Sequence, residues 1–257
     1  MSLSHREGDG PHPLSDAGVG FDVPVVLILF NRPELTAEVW KAIRQLQPKR
    51  LFVIADGPRA HASTDPERCR RARAVTEDID WSCRVKRIHA DRNLGCRRRV
   101  ITGLDAVFRE VPQAIVLEDD CVVERPFFDY CSTLLARHAQ DPGLWAICGS
   151  PFVPLRQPVT SACILSRYAS SWGWATWRRT WQQFDAAMRF WPDWKRSAAW
   201  RRTIPDRTER RYWELLFDDC HKQRIDSWAF PFLANQWYRD APVLMSTRSL
   251  VKNVGFG

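Results

Sequence analysis

Three short apolar segments and a fourth, more polar one, separated by stretches of helical spacing, limit the fold of this chain most. Residues 23–30 read Val-Pro-Val-Val-Leu-Ile-Leu-Phe and stop at Asn31-Arg32-Pro33, and residues 51–55 stop at Asp56-Gly57-Pro58. Residues 85–89 lead into Asn93-Leu94-Gly95, and residues 114–117 stop on Glu118-Asp119-Asp120. Continuous rather than alternating hydrophobicity marks strands covered on both faces, as in a parallel sheet. Between them, residues 34–46 place Leu35, Val39, Ala42, Ile43 and Leu46 on one helical face behind Pro33. Helices are also predicted over about 65–79 and 96–109. The alternation predicts an α/β fold with an open, mostly parallel, doubly wound sheet, helices on both faces, and a ligand beyond the carboxyl ends of the strands.

Those strand ends carry Asn31, Arg32, Asp56, residues 89–93 and the acidic triplet, while the strands over 23–30, 51–55 and 114–117 are almost wholly apolar. Three consecutive carboxylates repel one another unless a cation or strong donors compensate. Oxygen-only ligands suit Mg²⁺ or Mn²⁺, which take one or two carboxylates and complete their shell with water and phosphate oxygens. The triplet therefore reads as a metal–diphosphate site, with Asp120 as ligand and Glu118 and Asp119 supporting it or holding a sugar hydroxyl. The competing reading is an acidic turn ahead of the helix that begins near Pro126.

The 257 residues are 45% apolar, enough for an ordinary core. Of 38 basic residues, only Lys41, Lys49, Lys86, Lys195, Lys222 and Lys252 are lysines, so the net charge of +8 is carried by arginine, which suits bidentate phosphate contacts. The partners are then anionic: a nucleotide, an anionic membrane surface or nucleic acid. The eight cysteines include no CxxC pair and no histidine at zinc-finger spacing, which argues for small buried thiols in a reducing compartment. Residues 1–22 read as a disordered leader without the apolar core of a signal peptide, and no run of 18 apolar residues occurs. The expected location is cytoplasmic, with peripheral contact to the inner face of a membrane left open.

The second half changes character. After a helix near 127–138 and a strand around 144–148, all tryptophans but Trp40, Trp81 and Trp145 appear among the 13 in the chain. Helices are predicted over about 175–184 and 207–224. Without an internal repeat or a long linker, residues 23–257 read as one domain with a donor-binding half over about 23–125 and an acceptor-side half over about 126–257.

Several residues could do chemistry at such a rim. Arg32 could meet a diphosphate or base, Asp56 a base imide or ribose, and the run Arg97-Arg98-Arg99 a phosphate path, although two of three consecutive helical side chains must face away from any one ligand. Trp172 and Trp174, with Gly173 allowing close approach, could wall a sugar pocket or simply fill the core. A base for the acceptor hydroxyl could come from Asp218, Asp219, Asp226 or Asp240, among which position does not choose.

The segments Leu29-Phe30-Asn31-Arg32-Pro33, Asp56-Gly57, Asn93-Leu94-Gly95, Leu117-Glu118-Asp119-Asp120 with Phe127-Phe128, Ser171-Trp172-Gly173-Trp174-Ala175-Thr176-Trp177 and Asn253-Val254-Gly255-Phe256-Gly257 resemble, in this order, bacterial GT-A-type nucleotide-sugar glycosyltransferases of surface-polysaccharide loci. More distantly they are similar to the animal N-acetylglucosaminyltransferase that begins complex N-glycan synthesis. The resemblance covers about residues 23–257. It implies a GT-A fold, a nucleoside-diphosphate sugar donor, a glycan or glycolipid acceptor, Mn²⁺ or Mg²⁺ bound through Asp120, and inversion at the anomeric carbon. Donor contacts are expected from Asn31, Arg32, Asp56, Asn93, Arg97, Glu118, Asp119, Trp172, Gly173 and Trp174. Where relatives read Ile-Asp-Thr-Trp-Asp, this chain reads Ile225-Asp226-Ser227-Trp228-Ala229, which leaves Asp226 as the catalytic candidate. Relatives continue past the Gly-Phe-Gly, so a segment closing over the donor is expected to be missing here.

A metal-dependent inverting glycosyltransferase is thus the expected activity. A non-catalytic sugar-nucleotide-binding relative is the alternative that Ala229 suggests. A nucleotidyltransferase is disfavoured by the lack of a Gly-rich, Lys-bearing loop after the first strand. A nucleic-acid-binding module is disfavoured because the arginines are spread through helices rather than gathered in a motif, and no nucleic acid is expected as partner.

Overall fold

A computed structural model describes residues 20–151 and 160–255. Most of the expected leader and the final Phe256-Gly257 lie outside the described residues. Phe21, at the end of that leader, is bridged to Pro48, exchanges backbone hydrogen bonds with the segment before the second strand, and meets the ring of Phe128.

The first half follows the predicted alternation: β1 (Val25–Leu29), α1 (Pro33–Leu46), β2 (Arg50–Ala55), α2 (Asp65–Ala74), β3 (Arg84–His89), α3 (Cys96–Glu110) and β4 (Gln113–Glu118). Every residue of β1 is buried. Val25, Leu27 and Leu29 face one core with α1, while Val26 and Ile28 face another with Val100, Leu104 and Val107 of α3. Two covered faces are why the segment reads as an unbroken apolar run, and truncating one such leucine to alanine would cost about 2–5 kcal/mol. By contrast β3 is the outer strand, and its Arg84, Lys86 and Arg87 suit an edge that must not pair further.

The chain then lays down β5 (Cys121–Val123), α4 (Arg125–Arg137), β6 (Ile147–Cys148), β7 (Cys163–Ser166) and β8 (Trp174–Trp177). Four helices, α5 (Arg178–Trp181), α6 (Trp191–Trp194), α7 (Ala198–Thr203) and α8 (Arg207–His221), lead to α9 (Ala229–Tyr238), β9 (Val243–Ser246) and β10 (Val251–Asn253). One eight-stranded sheet runs through both halves in the order β3-β2-β1-β4-β8-β6-β9-β7, and β10 pairs with β5 in a separate ribbon. The β3-β2-β1-β4 part is parallel, as is β6 with β9, whereas β8 runs antiparallel between β4 and β6, and β7 antiparallel to β9.

The helix expected over 175–184 is a correction. Trp174, Trp177 and Trp181 recur at helical spacing, yet the first two belong to a strand, where positions three apart point to opposite faces, and they enter different cores. Only α5, a single turn, follows. Four of the remaining tryptophans, Trp191, Trp194, Trp200 and Trp237, build a third core with Phe217, largely through edge-to-face contacts. Among the described residues no helix is long and apolar enough to cross a membrane. Cys121 and Cys148 are buried as expected, while Cys163 is half-buried, and all eight thiols are free.

Candidate functional site

The chain lays β2 and β3 on one side of β1 and returns to place β4 on the other, so the strand order reverses between β1 and β4. In open α/β sheets ligands bind in the crevice at that reversal. The register pairs Ile28 with Glu118, which sets Phe30-Asn31-Arg32 against the acidic triplet across the crevice. A cavity of about 470 Å³ opens there, lined from β1 by Asn31 and Arg32, from β2 by Asp56 and Arg59, from the α3 entry by Asn93, Cys96 and Arg99, and by Glu118, Asp119 and Asp226.

Two of the triplet's three acids are held by one arginine. Arg32 forms ion pairs with Asp119 and, at 3.0 Å, with Asp120, and Asp119 also accepts the Phe30 N–H at 3.3 Å. Burial still raises the Asp119 carboxyl above its ordinary range, against the pull of Arg32. Burial, reinforced by Asp120 and Asp119, pushes Glu118 up to about 7, against the opposing influence of the neighbouring Trp228 indole.

Asp56 is an organising centre rather than an open ligand. Its buried carboxylate accepts the N–H groups of Gly57 and Leu94, both at 2.9 Å, of Gly95 at 3.1 Å, and the Asn93 side-chain amide at 2.9 Å. It thereby ties the 93–95 turn to the end of β2. Gly95 has φ of 82°, and a Cβ there would come within 2.5 Å of the Asp226 carboxylate. Asp226 takes the Cys96 N–H at 2.8 Å and the Arg97 N–H at 2.9 Å, and so supplies from a distant loop the cap that Gly95 cannot give α3. Of the four late aspartates only Asp226 reaches this rim: Asp218 bonds Trp191 and Lys195, Asp219 bonds Arg224, and Asp240 lies in a separate cleft beside Arg239.

Within the arginine run the helix phase divides the labour. Arg97 turns away and gives its guanidinium to the carbonyls of Cys220 and Ala186, a structural duty in place of the donor contact expected of it. Arg98 is exposed. Arg99 turns inward, 6% exposed, and its Nε has no hydrogen-bond partner among the described residues. Burial pulls its guanidinium below the ordinary arginine range. Since the N–H groups of Leu94, Gly95, Cys96 and Arg97 are already satisfied by Asp56 and Asp226, an anion in this cavity would have to be met by side chains, and Arg32, Arg59 and Arg99 are those that line it.

Asp65 is a participant that sequence reasoning missed, because it reads only as the first residue of a helix. Its buried carboxylate accepts the Asn31 amide at 2.8 Å and the Arg59 Nε and Nη2 at 2.7 and 3.0 Å, fixing both rim side chains. The Arg59 guanidinium in turn holds that carboxyl well below its usual range.

The tryptophan motif divides as well. Trp174 is buried, stacked on Trp228 with centroids 5.1 Å apart, and lines a second cavity rather than the acidic one. Gly173, with φ of 60°, admits Val251 and the Phe127 ring rather than a ligand, and half-buried Trp172 packs against the core of β1 and α1. The chain's last described residues meet the triplet: Val254 donates its N–H to the Asp120 carbonyl at 2.9 Å, and any side chain at Gly255 would strike the Asp120 carboxylate and the Arg32 guanidinium. Ala229, where the resemblance implies an acid, lines the second cavity.

No group of three or more His, Cys, Asp or Glu among the described residues is placed to share one ion. The Asp119 and Asp120 carboxylates are both paired with Arg32, so a hard divalent ion here would share them with that guanidinium and would take its other ligands from phosphate and water.

No protein-family profile matches the chain. No curated protein is significantly similar to it either. Among solved structures, the chain is similar to a mannosyltransferase from Pyrobaculum calidifontis in complex with GDP-Man and Mn²⁺, at 14% identity over 84% of this chain and 69% of that one, with a TM-score of 0.43. At that overlap no function passes from it to this chain.

Proposed function

We propose that this protein is a GT-A-type, metal-dependent inverting glycosyltransferase that moves a sugar from a nucleoside-diphosphate donor to a glycan or glycolipid hydroxyl. The observation that carries the reading is the cavity at the β1/β4 reversal, where Arg32, Arg59 and Arg99 meet Glu118, Asp119 and Asp226. The buried Nε of Arg99, which has no hydrogen-bond partner among the described residues, asks for an acceptor that an anion would supply, and the neighbouring acids provide for sugar hydroxyls and a cation.

In this reading Arg99 and Arg59 hold the diphosphate, Glu118 holds a hydroxyl of the transferred sugar, and Arg32 keeps Asp119 and Asp120 in place. Mn²⁺ or Mg²⁺ held by Asp120 supplies Lewis-acid stabilisation of the departing diphosphate. Asp226, whose oxygens each retain a lone pair beyond the helix cap, takes the proton of the acceptor hydroxyl. The net charge of +8 suits work beside an anionic membrane surface on the cytoplasmic side.

A panel of nucleotide sugars with Mn²⁺, scored for hydrolysis and transfer, tests the reading. Activity in the wild type that disappears in Asp120→Ala supports it, and unchanged activity in that variant removes the metal assignment. Ala229 in place of an acid, and the engagement of both Asp226 oxygens by the α3 backbone, favour a second reading, a sugar-nucleotide-binding relative without turnover. Saturable donor binding in calorimetry with no product formed for any acceptor would select it.

A further inference from the structure

Arg59 lines the cavity at the β1/β4 reversal with its side chain 44% exposed, whereas Asp65 is buried and does not line that cavity. The Asp65 carboxylate accepts three donors from this one arginine: the backbone N–H at 3.1 Å, Nε at 2.7 Å and Nη2 at 3.0 Å. It also takes the Asn31 side-chain amide at 2.8 Å. Backbone and side chain of Arg59 are thus pinned to the same group, and the guanidinium lies over the Phe30 ring, 5.4 Å from its centroid. The edge formed by Nε and Nη2 is spent on Asp65, so Nη1 and the outer N–H of Nη2 remain for an occupant of the cavity.

The helix that Asp65 opens continues the same work. Arg68 gives its Nε to the Asn31 carbonyl at 2.8 Å, and Arg73 gives its Nη2 to the carbonyls of Asp56 and Ala90 at 2.9 and 2.7 Å. The segments leaving β1, β2 and β3 are therefore tied together by α2, through arginines that meet backbone carbonyls rather than a ligand.

Removing the Asp65 charge has two opposite effects on an anion at Arg59. By charge alone the carboxylate opposes the anion, so its loss would tighten binding. By orientation its loss would weaken binding, because a half-exposed arginine released from its fork samples many rotamers, and an anion that selects one must then bear that entropy. Solvent around the half-exposed guanidinium screens the first effect. The second is undiminished, since two parallel N–H···O bonds and a backbone N–H all hold the same geometry. Orientation is therefore the larger effect.

We propose that Asp65 is a positioning residue for the diphosphate of the donor, acting through Arg59 and, beside it, Asn31. That Arg59 meets a diphosphate rests on the transferase reading above.

The test is calorimetry with UDP, GDP, CDP, ADP and dTDP, each with MnCl₂, on the full chain and on Asp65→Asn, below the melting transition of both. Asn keeps the shape of the side chain but turns one acceptor towards the donors of Arg59 and Asn31 into a donor. The nucleoside diphosphate that wild type binds best should weaken at least about tenfold in the variant. In an Asn31→Ala/Arg59→Ala background, where the positioned groups are gone, adding Asp65→Asn should cost less than about twofold more. A general loosening of the fold would instead weaken binding alike in both backgrounds. Such an equal loss overturns the proposal, as does unchanged or tighter binding in Asp65→Asn, and either result leaves the transferase reading standing. The single variant decides by its sign even where the triple variant fails to fold. A wild type that binds none of the five removes the transferase reading and this proposal with it.

Discussion

The Asp226 carboxylate closes the N-terminus of a helix that begins 130 residues earlier, accepting the Cys96 N–H at 2.8 Å and the Arg97 N–H at 2.9 Å. One side chain thus joins the loop before α9 to the rim of the parallel sheet, and any part it plays in proton transfer is layered on that cap.

Cap and base make separable demands on Asp226. Asp226→Asn keeps one acceptor oxygen for the helix and removes the base, so it should lower Tm by only about 1–3 °C while reducing turnover at least about 100-fold. Asp226→Ala should lose a further ~1 kcal/mol of stability. Thermal melts beside initial rates separate the two, and equal loss of rate and stability in both variants would leave Asp226 as a cap alone.

Arg32 neutralises Asp119 and Asp120 at once, and Asp119 is buried. Removing it in Arg32→Ala should cost about 1–2 kcal/mol, a figure discounted for the partial exposure of the guanidinium. A divalent cation at Asp120 offers replacement charge, so Mn²⁺ should raise the melting temperature of this variant more than that of the wild type. A thermal-shift titration with MnCl₂ checks the difference.

On the transferase reading, Arg99 trades stability for binding. Arg99→Met deletes a buried cation whose Nε has no hydrogen-bond partner among the described residues and should stabilise the unliganded protein by about 1–2 kcal/mol, while nucleotide-sugar affinity falls at least about tenfold. Urea unfolding and calorimetry on the same preparation read the two effects, and loss of stability in the variant would show that Arg99 serves the fold instead.

The Asp65 carboxyl is held below its ordinary range by hydrogen bonds from Arg59, then by Asn31. A carboxyl depressed in the folded state contributes stability that is present above its unfolded pKa, near ~3.9, and is lost as pH falls below it. Asp65→Asn should therefore be less stable than wild type at pH 6, with the gap narrowing towards pH 3. Urea midpoints across that range follow it, and a gap independent of pH would contradict the assignment.

The parallel half of the fold and the position of the acidic rim were legible in the sequence because both are local. A strand buried on two faces must be apolar throughout, and polar residues can gather only where it leaves the core, as at Asn31-Arg32, Asp56 and Glu118-Asp119-Asp120. The same local logic misread residues 174–181, since tryptophans three and four apart satisfy a helical face and a strand with both sides buried equally well. Only the pairing of β8 between β4 and β6 decided between them.

What each rim residue does was decided by partners far off in the chain. Composition made Asp56, Asp226 and Arg97 as eligible for a ligand as Arg99, yet the fold satisfies the first three with backbone groups and leaves the Arg99 Nε without a hydrogen-bond partner among the described residues. Residues two apart on a helix are separated by about 200°, so one of Arg97 and Arg99 had to turn from the cavity, and the sequence could not say which. The sequence alone determined the strand–helix order and the rim of acids and arginines, through periodicity and burial. Tertiary structure alone decided which polar groups are consumed in holding that rim together, because hydrogen-bond partners 30 to 130 residues apart are chosen by how the chain closes on itself and leave no periodic trace.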